Sequence, residues 1–277
     1  MAGGRTVTSK RWKSRGFTTV GVVAACVGFI LFWHAFVAAT GISSLTLPGP
    51  LQVWEAARTN WVALRTATIA TLTGSLIAFG ISAVLGVLIA CGIAQWDRMR
   101  KLMLPVVVSI QAAPKIALAP LFVLWVGYGP RMAVIVGVLV AIFPMIINTV
   151  IGLETTNSEM LMLARTMRAR QWQIFARIRL PFALPHIMSG LKNCLLLAVV
   201  GVVVGEMTGA NSGLGYTLLF ASAQFRMDYA LAATVILMVL GISLFYIIEG
   251  LERKYSWYIQ EAGRSASALQ GAGGNAK

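Results

Sequence analysis

The sequence contains few residues that could carry out covalent chemistry. Of its 277 residues, only nine are Asp or Glu and two are His. It contains no H-E-x-x-H zinc motif, no G-x-S-x-G nucleophile elbow and no Gly-rich Walker A loop for ATP. Its cysteines, Cys26, Cys91 and Cys194, lie in apolar stretches without metal-ligand spacing. We therefore predict that the chain is not an enzyme, binds no metal or cofactor, and does not hydrolyse ATP itself.

Five polar residues stand out because they interrupt long apolar stretches. They are Gln111, Lys115, Asn148, Asn193 and Glu206. A charge at the centre of a bilayer costs roughly 2.5–3.5 kcal/mol, so it must face protein or water. We predict all five as candidates to line a solute pathway. The open alternatives for Lys115 are contact with a carbonyl freed by Pro114 or Pro120, or snorkelling to the cytoplasmic side. For the amides, the alternative is hydrogen bonds between helices.

A basic segment with its own apolar pattern, residues 156–185, separates two of the apolar stretches. Apolar residues recur at helical spacing in its first half, and again at Trp172, Phe175 and Ile178. The arginines beside them are Arg165, Arg168 and Arg170. A short basic amphipathic helix can dock on a partner, with aromatic anchors for affinity and arginines for orientation. The alternative is a solvated basic loop.

Long apolar runs position these residues. The chain is 58% hydrophobic and only 12% charged, with a mean hydropathy of +0.78, whereas soluble domains carry about 25% charged residues. Runs of about 20 apolar residues can cross a bilayer as helices. We predict an all-α transmembrane bundle of six spans. The predicted spans are 17–42, 66–94, 104–127, 132–153, 187–208 and 229–248, with prolines inside the third and fourth.

The positive charges predict the orientation of these spans. The net charge is +14, which in a soluble protein would suggest nucleic acid. Eighteen of the 23 Lys and Arg residues fall on one side of the predicted bundle and four on the other. The positive-inside rule then places both termini in the cytoplasm and requires no nucleic acid. We predict a basic tail at 1–16, a membrane domain at 17–255 and a partly disordered tail at 256–277, with an uncleaved first span.

Two connections on the predicted outer side have unusual patterns. The stretch 43–65 contains the turn signal LPGP, and its later apolar residues predict a short helix at the membrane surface. After Glu206, the Gly-rich sequence TGANSGLG predicts that the fifth helix ends and that a re-entrant segment, 213–225, follows. The alternative for that segment is a plain external hairpin.

Residues 156–185 resemble the coupling loop of permeases of binding-protein-dependent ABC importers. That loop reads E-A-A, three residues, G, nine residues and I-x-L-P. The residues that the resemblance assigns to it are Ala164, Arg165, Thr166, Arg168, Ala169, Trp172, Phe175, Ile178, Leu180 and Pro181. Met162, Leu163 and Arg168 depart from the pattern, and Arg168 replaces a Gly that normally makes a sharp turn. Arg168 fits there only if the turn avoids a positive φ or carries some strain.

The resemblance extends over nearly the whole chain. The blocks LPGPLQVWEA, PKIALAPLFVLWVGYGP and GANSGLGYTLL are similar to the nitrate, sulfonate and taurine branch of these permeases. The resemblance implies a type I importer permease in a bacterial inner membrane, paired with a second copy of itself. It further implies two cytoplasmic ATPase subunits that hold ATP-Mg, an external binding protein and a small anionic solute. Thiamine or riboflavin precursors and aromatic acids stay open as alternative solutes.

An ATPase-independent channel or secondary transporter is the alternative from another class of protein. Such a protein would move its solute without any partner, and a coupling loop would have no role in it. The pattern in residues 156–185 therefore favours the importer. A neighbouring gene for a Walker-type ATPase would discriminate between the two.

Overall fold

The computed structural model describes residues 10–156 and 158–273, and every regular element in this part of the chain is helical. The helices are α1 (Lys10–Thr40), α2 (Pro50–Thr59), α3 (Trp61–Ala94), α4 (Asp97–Ala112), α5 (Ala119–Val126), α6 (Pro130–Glu154), α7 (Ser158–Thr166), α8 (Gln171–Ile174), α9 (Leu180–Gly209), α10 (Leu214–Ala223) and α11 (Met227–Gly273). A 3₁₀ turn, Lys115–Leu118, precedes α5, and a π-helical turn, Phe175–Arg179, joins α8 to α9. The outer ends of both predicted tails, 1–9 and 274–277, lie outside the described residues, and the disorder predicted for the second tail stays a prediction.

Among the described residues, four or five helical stretches are long and apolar enough to cross a membrane, so the six predicted spans are not confirmed. Four helical stretches are long and apolar enough to span: Trp61–Ala94, Pro130–Glu154, Gln171–Gly209 and Met227–Lys254. A fifth span results if the bent pair around Pro114 is one crossing. The predicted first span, 17–42, falls in α1. Its apolar stretch Val27–Thr40 is helical, and the first span stays a prediction.

The third predicted span is broken, as its prolines indicated. Its two halves, Arg98–Ala112 and Lys115–Val126, meet at an angle of 72°. The break lies at Ala113 and Pro114, whose backbones leave the helical conformation. Proline lacks an N–H, and the residue before it avoids helical φ and ψ. The Ala113–Pro114 pair therefore ends α4 and redirects the chain.

Two predicted helix boundaries were wrong. The surface helix expected in 43–65 is confined to α2, and the chain leaves the helical conformation at Asn60, so α3 begins at Trp61 rather than at 66. The fifth span was expected to begin at 187, after the two prolines in LPFALP. Instead the helix runs continuously from Gln171 to Gly209. Pro181 directly follows the π-helical turn and Pro185 lies inside α9, so neither proline ends the helix.

Helices α6 and α9 form the centre of the bundle because their backbones touch. A Cβ on Gly201 would lie 2.8 Å from the Cα of Gly137, and a Cβ on Gly205 would lie 2.5 Å from the Cα of Ala133. Small residues four apart on both helices permit this close approach, which drives association in lipid. The pair provides the rigid support against which α3 and the basic segment pack.

The chain divides into two compact units. The first contains the chain up to Trp61 together with Phe220–Ala232, and it includes α1 and α2. The second contains Val62–Leu219 and the chain from Ala233 onward. All five candidate pathway residues and the whole basic segment belong to the second unit.

Candidate functional site

A helix–turn–helix forms the described part of the basic segment, and Arg168 makes its turn. At the end of α7, the Ala169 N–H donates to the Ala164 carbonyl at 3.0 Å and the Arg168 N–H donates to the Arg165 carbonyl at 2.9 Å. These two bonds define a Schellman motif, whose C′ residue is usually glycine. Arg168 occupies that position with φ of 55°. The turn therefore keeps the left-handed conformation, with the strain that an Arg there implies.

The second helix of the segment is capped by its own residues. Gln173 Oε1 accepts a hydrogen bond of 2.9 Å from the Arg170 N–H, and the Gln173 N–H donates to the Arg170 carbonyl at 2.8 Å. This reciprocal pair resembles a capping box and fixes the start of α8. The π-helical turn then carries the chain into α9 without a break. Such turns are rare and frequently lie at functional sites.

The segment has an outer face and an inner face. Trp172 is 73% exposed, and its ring stacks on Phe175 with a centroid distance of 5.9 Å. The other exposed residues of the predicted coupling set are Arg165, Thr166, Arg168 and Pro181. Ala164 is buried, and Ala169, Phe175, Ile178 and Leu180 are half-buried. We call the exposed face of Met162–Trp172 the outer face.

The inner face anchors the segment to the bundle. Ile174 is buried, and Phe175 and Leu180 pack against a core cluster that includes Ala94, Leu153 and Ala183. Because Phe175 supports the Trp172 ring from below, the exposed indole is held in place rather than left on a loose loop. Of the two predicted aromatic anchors, Trp172 therefore faces outward and Phe175 packs inward against the bundle.

Replacing Arg168 with glycine should stabilise the permease by about 1 kcal/mol, because it removes the left-handed strain of an L side chain. The measurement is thermal unfolding of the purified permease in nanodiscs. Arg170→Gly is the matched control, since Arg170 has φ of −66° and no such strain to relieve. Equal melting temperatures for Arg168→Gly and wild type would show that the turn carries no strain.

Three of the predicted pathway residues lie together in one cleft. Gln111, Asn148 and Asn193 line a cavity of about 390 Å³, with Leu196 and Leu197 among its apolar walls. The Asn148 amide donates a hydrogen bond of 2.8 Å to the Pro144 carbonyl on its own helix. Side-chain amides on α4, α6 and α9 thus converge, and the lining includes no charged residue.

Lys115 is not part of this cleft. It begins the 3₁₀ turn at the break in the third span, and its Nζ lies 4.4 Å from the ring centroid of Phe143. A cation over an aromatic face is stabilised by the ring quadrupole. The Lys115 ammonium therefore has an aromatic partner beside the break, and its place in the solute pathway stays a prediction.

Glu206 caps a helix instead of facing open water. It is 3% exposed, and the Gly215 N–H donates 2.9 Å to its Oε2. The Thr71 hydroxyl donates to the same carboxylate at 2.8 Å and accepts the Leu214 N–H at 2.8 Å. A Cβ on Gly213, whose φ is 105°, would overlap the carboxylate. Glu206 and Thr71 thereby satisfy the first N–H groups of α10, where an anion is favoured.

Sequence reasoning missed the partners of these residues. Thr71 is one of several threonines in α3 and carries no local signal for a contact 135 residues away. Arg179 is the variable position of the I-x-L-P pattern, yet its Nη1 donates to the Ala94 carbonyl at 3.4 Å. The last turn of α3 has no basic residue of its own. This was the one sign in the sequence that a cation from elsewhere could contact its C-terminus.

Comparison with known proteins places the whole site within one family. The family described as binding-protein-dependent transport system inner membrane component matches residues 82–257, which is well over half of the chain. The matched region contains the basic segment, the amide cleft and the Glu206 carboxylate.

Three relatives share this architecture but differ in the solute that they are named for. The formylaminopyrimidine transport permease protein ThiX of Halalkalibacterium halodurans is 41% identical over 66% of this chain and 73% of its own length. The riboflavin transport system permease protein RibX of Chloroflexus aurantiacus is 30% identical over 84% of this chain and 88% of its own. The putative aliphatic sulfonates transport permease protein SsuC of Bacillus subtilis is 30% identical over 65% of this chain and 64% of its own length.

A solved structure supports the fold. The methionine ABC transporter MetNI, in inward-facing conformations, matches with a TM-score of 0.57 at 20% identity, covering 72% of this chain and 96% of that one. The family match and the relatives show that the chain belongs to the binding-protein-dependent transport system inner membrane components, the membrane-spanning permease subunits of ABC importers.

Proposed function

We propose that the basic segment docks on a cytoplasmic ABC ATPase and that this chain thereby drives import of a small solute. The observation that carries this is the outer face, where an exposed indole and arginines sit on a helix–turn–helix that is anchored from below. Aromatic and Arg residues held in this way supply most of the energy at protein interfaces. A solvated loop would need no such anchoring.

The orientation and assembly follow from this docking. The segment faces the cytoplasm, as do both termini, because most Lys and Arg residues lie on that side. The complete transporter contains two copies of this chain with six spans each, two ATPase subunits that bind ATP-Mg, and an external binding protein, in a bacterial inner membrane. Helix α1 supplies the sixth span.

The amide cleft is the best-supported part of the solute pathway. Amides can both donate and accept hydrogen bonds, and here three of them share a cavity with leucine walls. This combination suits an uncharged, partly apolar solute with several hydrogen-bonding groups. A cleft for a sulfonate would be expected to contain a cation, and the described lining has none.

The solute is therefore proposed to be a vitamin precursor of the pyrimidine or flavin type. The relative named for formylaminopyrimidine is 41% identical, against 30% for the one named for sulfonates. A sulfonate-like anion is the second candidate. It is favoured by that sulfonate relative and by Lys115, whose ammonium lies at the break in the third span.

The assay that decides between these solutes uses the complete transporter in nanodiscs. ATP hydrolysis is measured with the binding protein alone and then loaded with an aminopyrimidine, riboflavin, taurine or nitrate. We expect stimulation by an aminopyrimidine or riboflavin. Stimulation by taurine or nitrate alone would replace the first solute class with the second, and failure of an ABC ATPase to assemble with the permease would remove the proposed function.

Replacing Asn193 with leucine should lower solute uptake by roughly two- to tenfold, the effect of losing one hydrogen bond of 0.5–1.5 kcal/mol. Uptake into proteoliposomes is the measurement, and retention of the ATPase subunits should not change. Asn60→Leu, at an amide outside the cleft, is the matched control. Equal uptake by the Asn193 variant and wild type would remove Asn193 from the pathway.

A further inference from the structure

Helix α3 ends without a charge of its own to stabilise its last carbonyls. None of its last residues is basic, and the final turn of any helix leaves carbonyls without helical partners. The guanidinium of Arg179 fills this role from another part of the chain, since its Nη1 donates to the carbonyl of Ala94, the last residue of α3, at 3.4 Å. A cation at a helix C-terminus is favoured by the helix dipole.

Arg179 is held by the segment that carries the outer face. It is the last residue of the π-helical turn, seven residues after Trp172, and it is half-buried. Its Nε is buried and makes no hydrogen bond within the described residues. The side chain is therefore partly buried, and among the described residues its polar partner is the end of α3.

A second point of α3, about a third of the way along from its start, is fixed as well. Thr71 bonds the Glu206 carboxylate, 23 residues before Ala94. At 1.5 Å per residue, these two points are about 35 Å apart along one continuous helix. A displacement of Ala94 would therefore reach the cap of α10 through a single rigid element.

We propose that Arg179 is a positioning residue that ties the movement of the basic segment to α3. When the segment moves with its ATPase, the guanidinium carries the end of α3 with it, and α3 carries that movement to the Thr71–Glu206 cap. The inference rests on the proposed docking function. Arg177 lies in the same turn but is exposed, so it has no part in this link.

The test measures the distance between spin labels at Gln95 and Gln171 in the permease–ATPase complex in nanodiscs. Both positions are exposed, and the three native cysteines are replaced by alanine. The distance is measured without nucleotide and after trapping with MgATP and vanadate. Labelled permease is diluted with unlabelled permease so that a transporter holds one labelled copy. With Arg179 present, we then expect one narrow distribution that stays the same in both states. Arg179→Ala should shift or broaden the distance distribution after trapping. Arg179→Lys should restore much of the wild-type distribution, and Arg177→Ala should match wild type.

The outcomes separate the two proposals. An unchanged distribution in Arg179→Ala, in a complex that still retains its ATPase, would overturn the role of Arg179 and leave docking intact. Failure of the wild-type permease to retain the ATPase would overturn docking itself. If the alanine variant does not fold, Arg179→Gln serves as the second variant, because it keeps a donor but removes the charge. A Gln variant that matches wild type would also overturn the proposal.

Discussion

Replacing Trp172 with alanine should weaken binding of the permease to its ATPase by about 30-fold, which corresponds to about 2 kcal/mol. The indole is 73% exposed, and Phe175 supports it from below, so its contact area is available without ordering a flexible loop. The measurement is titration of the ATPase against permease nanodiscs on a biosensor surface. Trp54→Ala, at a tryptophan that is 69% exposed in α2, should leave the affinity unchanged.

A charge reversal on the same face should act in the same direction. Arg165→Glu should slow association more than it speeds dissociation, because exposed interface charges act mainly on the encounter rate. Its effect should shrink at high salt, whereas the effect of Trp172→Ala should not. An ATPase affinity that neither variant alters would contradict docking through the outer face.

Replacing Glu206 with leucine should destabilise the permease by about 3 kcal/mol or more. The Thr71 hydroxyl and the Gly215 N–H would lose their shared acceptor inside the protein. Each buried donor left unsatisfied costs about 1–3 kcal/mol. Thermal unfolding in nanodiscs measures the loss, and protease cleavage within 210–213 reports whether α10 has detached.

Two further variants test the cap from both sides. Glu206→Gln keeps a carbonyl acceptor of similar shape. Its stability should therefore lie between that of the leucine variant and that of wild type. Gly213→Ala keeps the carboxylate but places a methyl group where the carboxylate sits, at φ of 105°, and it should be destabilising as well. A leucine variant as stable as wild type would show that Glu206 does not hold α10.

The membrane spans were largely predictable, since a long apolar run has few alternatives to a transmembrane helix. The prolines of LPFALP were misinterpreted, whereas those of the third span correctly indicated its break. LPFALP was interpreted as the end of a loop, yet Pro181 lies in the first turn of α9 after a π-helical turn, a conformation with no simple sequence signature.

The candidate site was predictable in its composition but not in its geometry. Arg168 was recognised as unusual from its position in the family pattern, and its positive φ confirms one of the two expected outcomes. The convergence of Gln111, Asn148 and Asn193 depends on how three helices rotate against one another, which close packing at Gly137 and Gly201 decides. The cap that Glu206 forms with a threonine far away in sequence was not predicted, and its place in the pathway stays a prediction.

The most direct test of the importer assignment is solute uptake into proteoliposomes that contain the complete transporter and its loaded binding protein. Uptake is compared with MgATP, without nucleotide, and with an ATPase subunit whose catalytic carboxylate is replaced. We expect uptake only with MgATP and an active ATPase, and its loss when Trp172 is replaced by alanine. Uptake by the permease alone, without the ATPase, would contradict the account and identify the chain as a channel or secondary transporter.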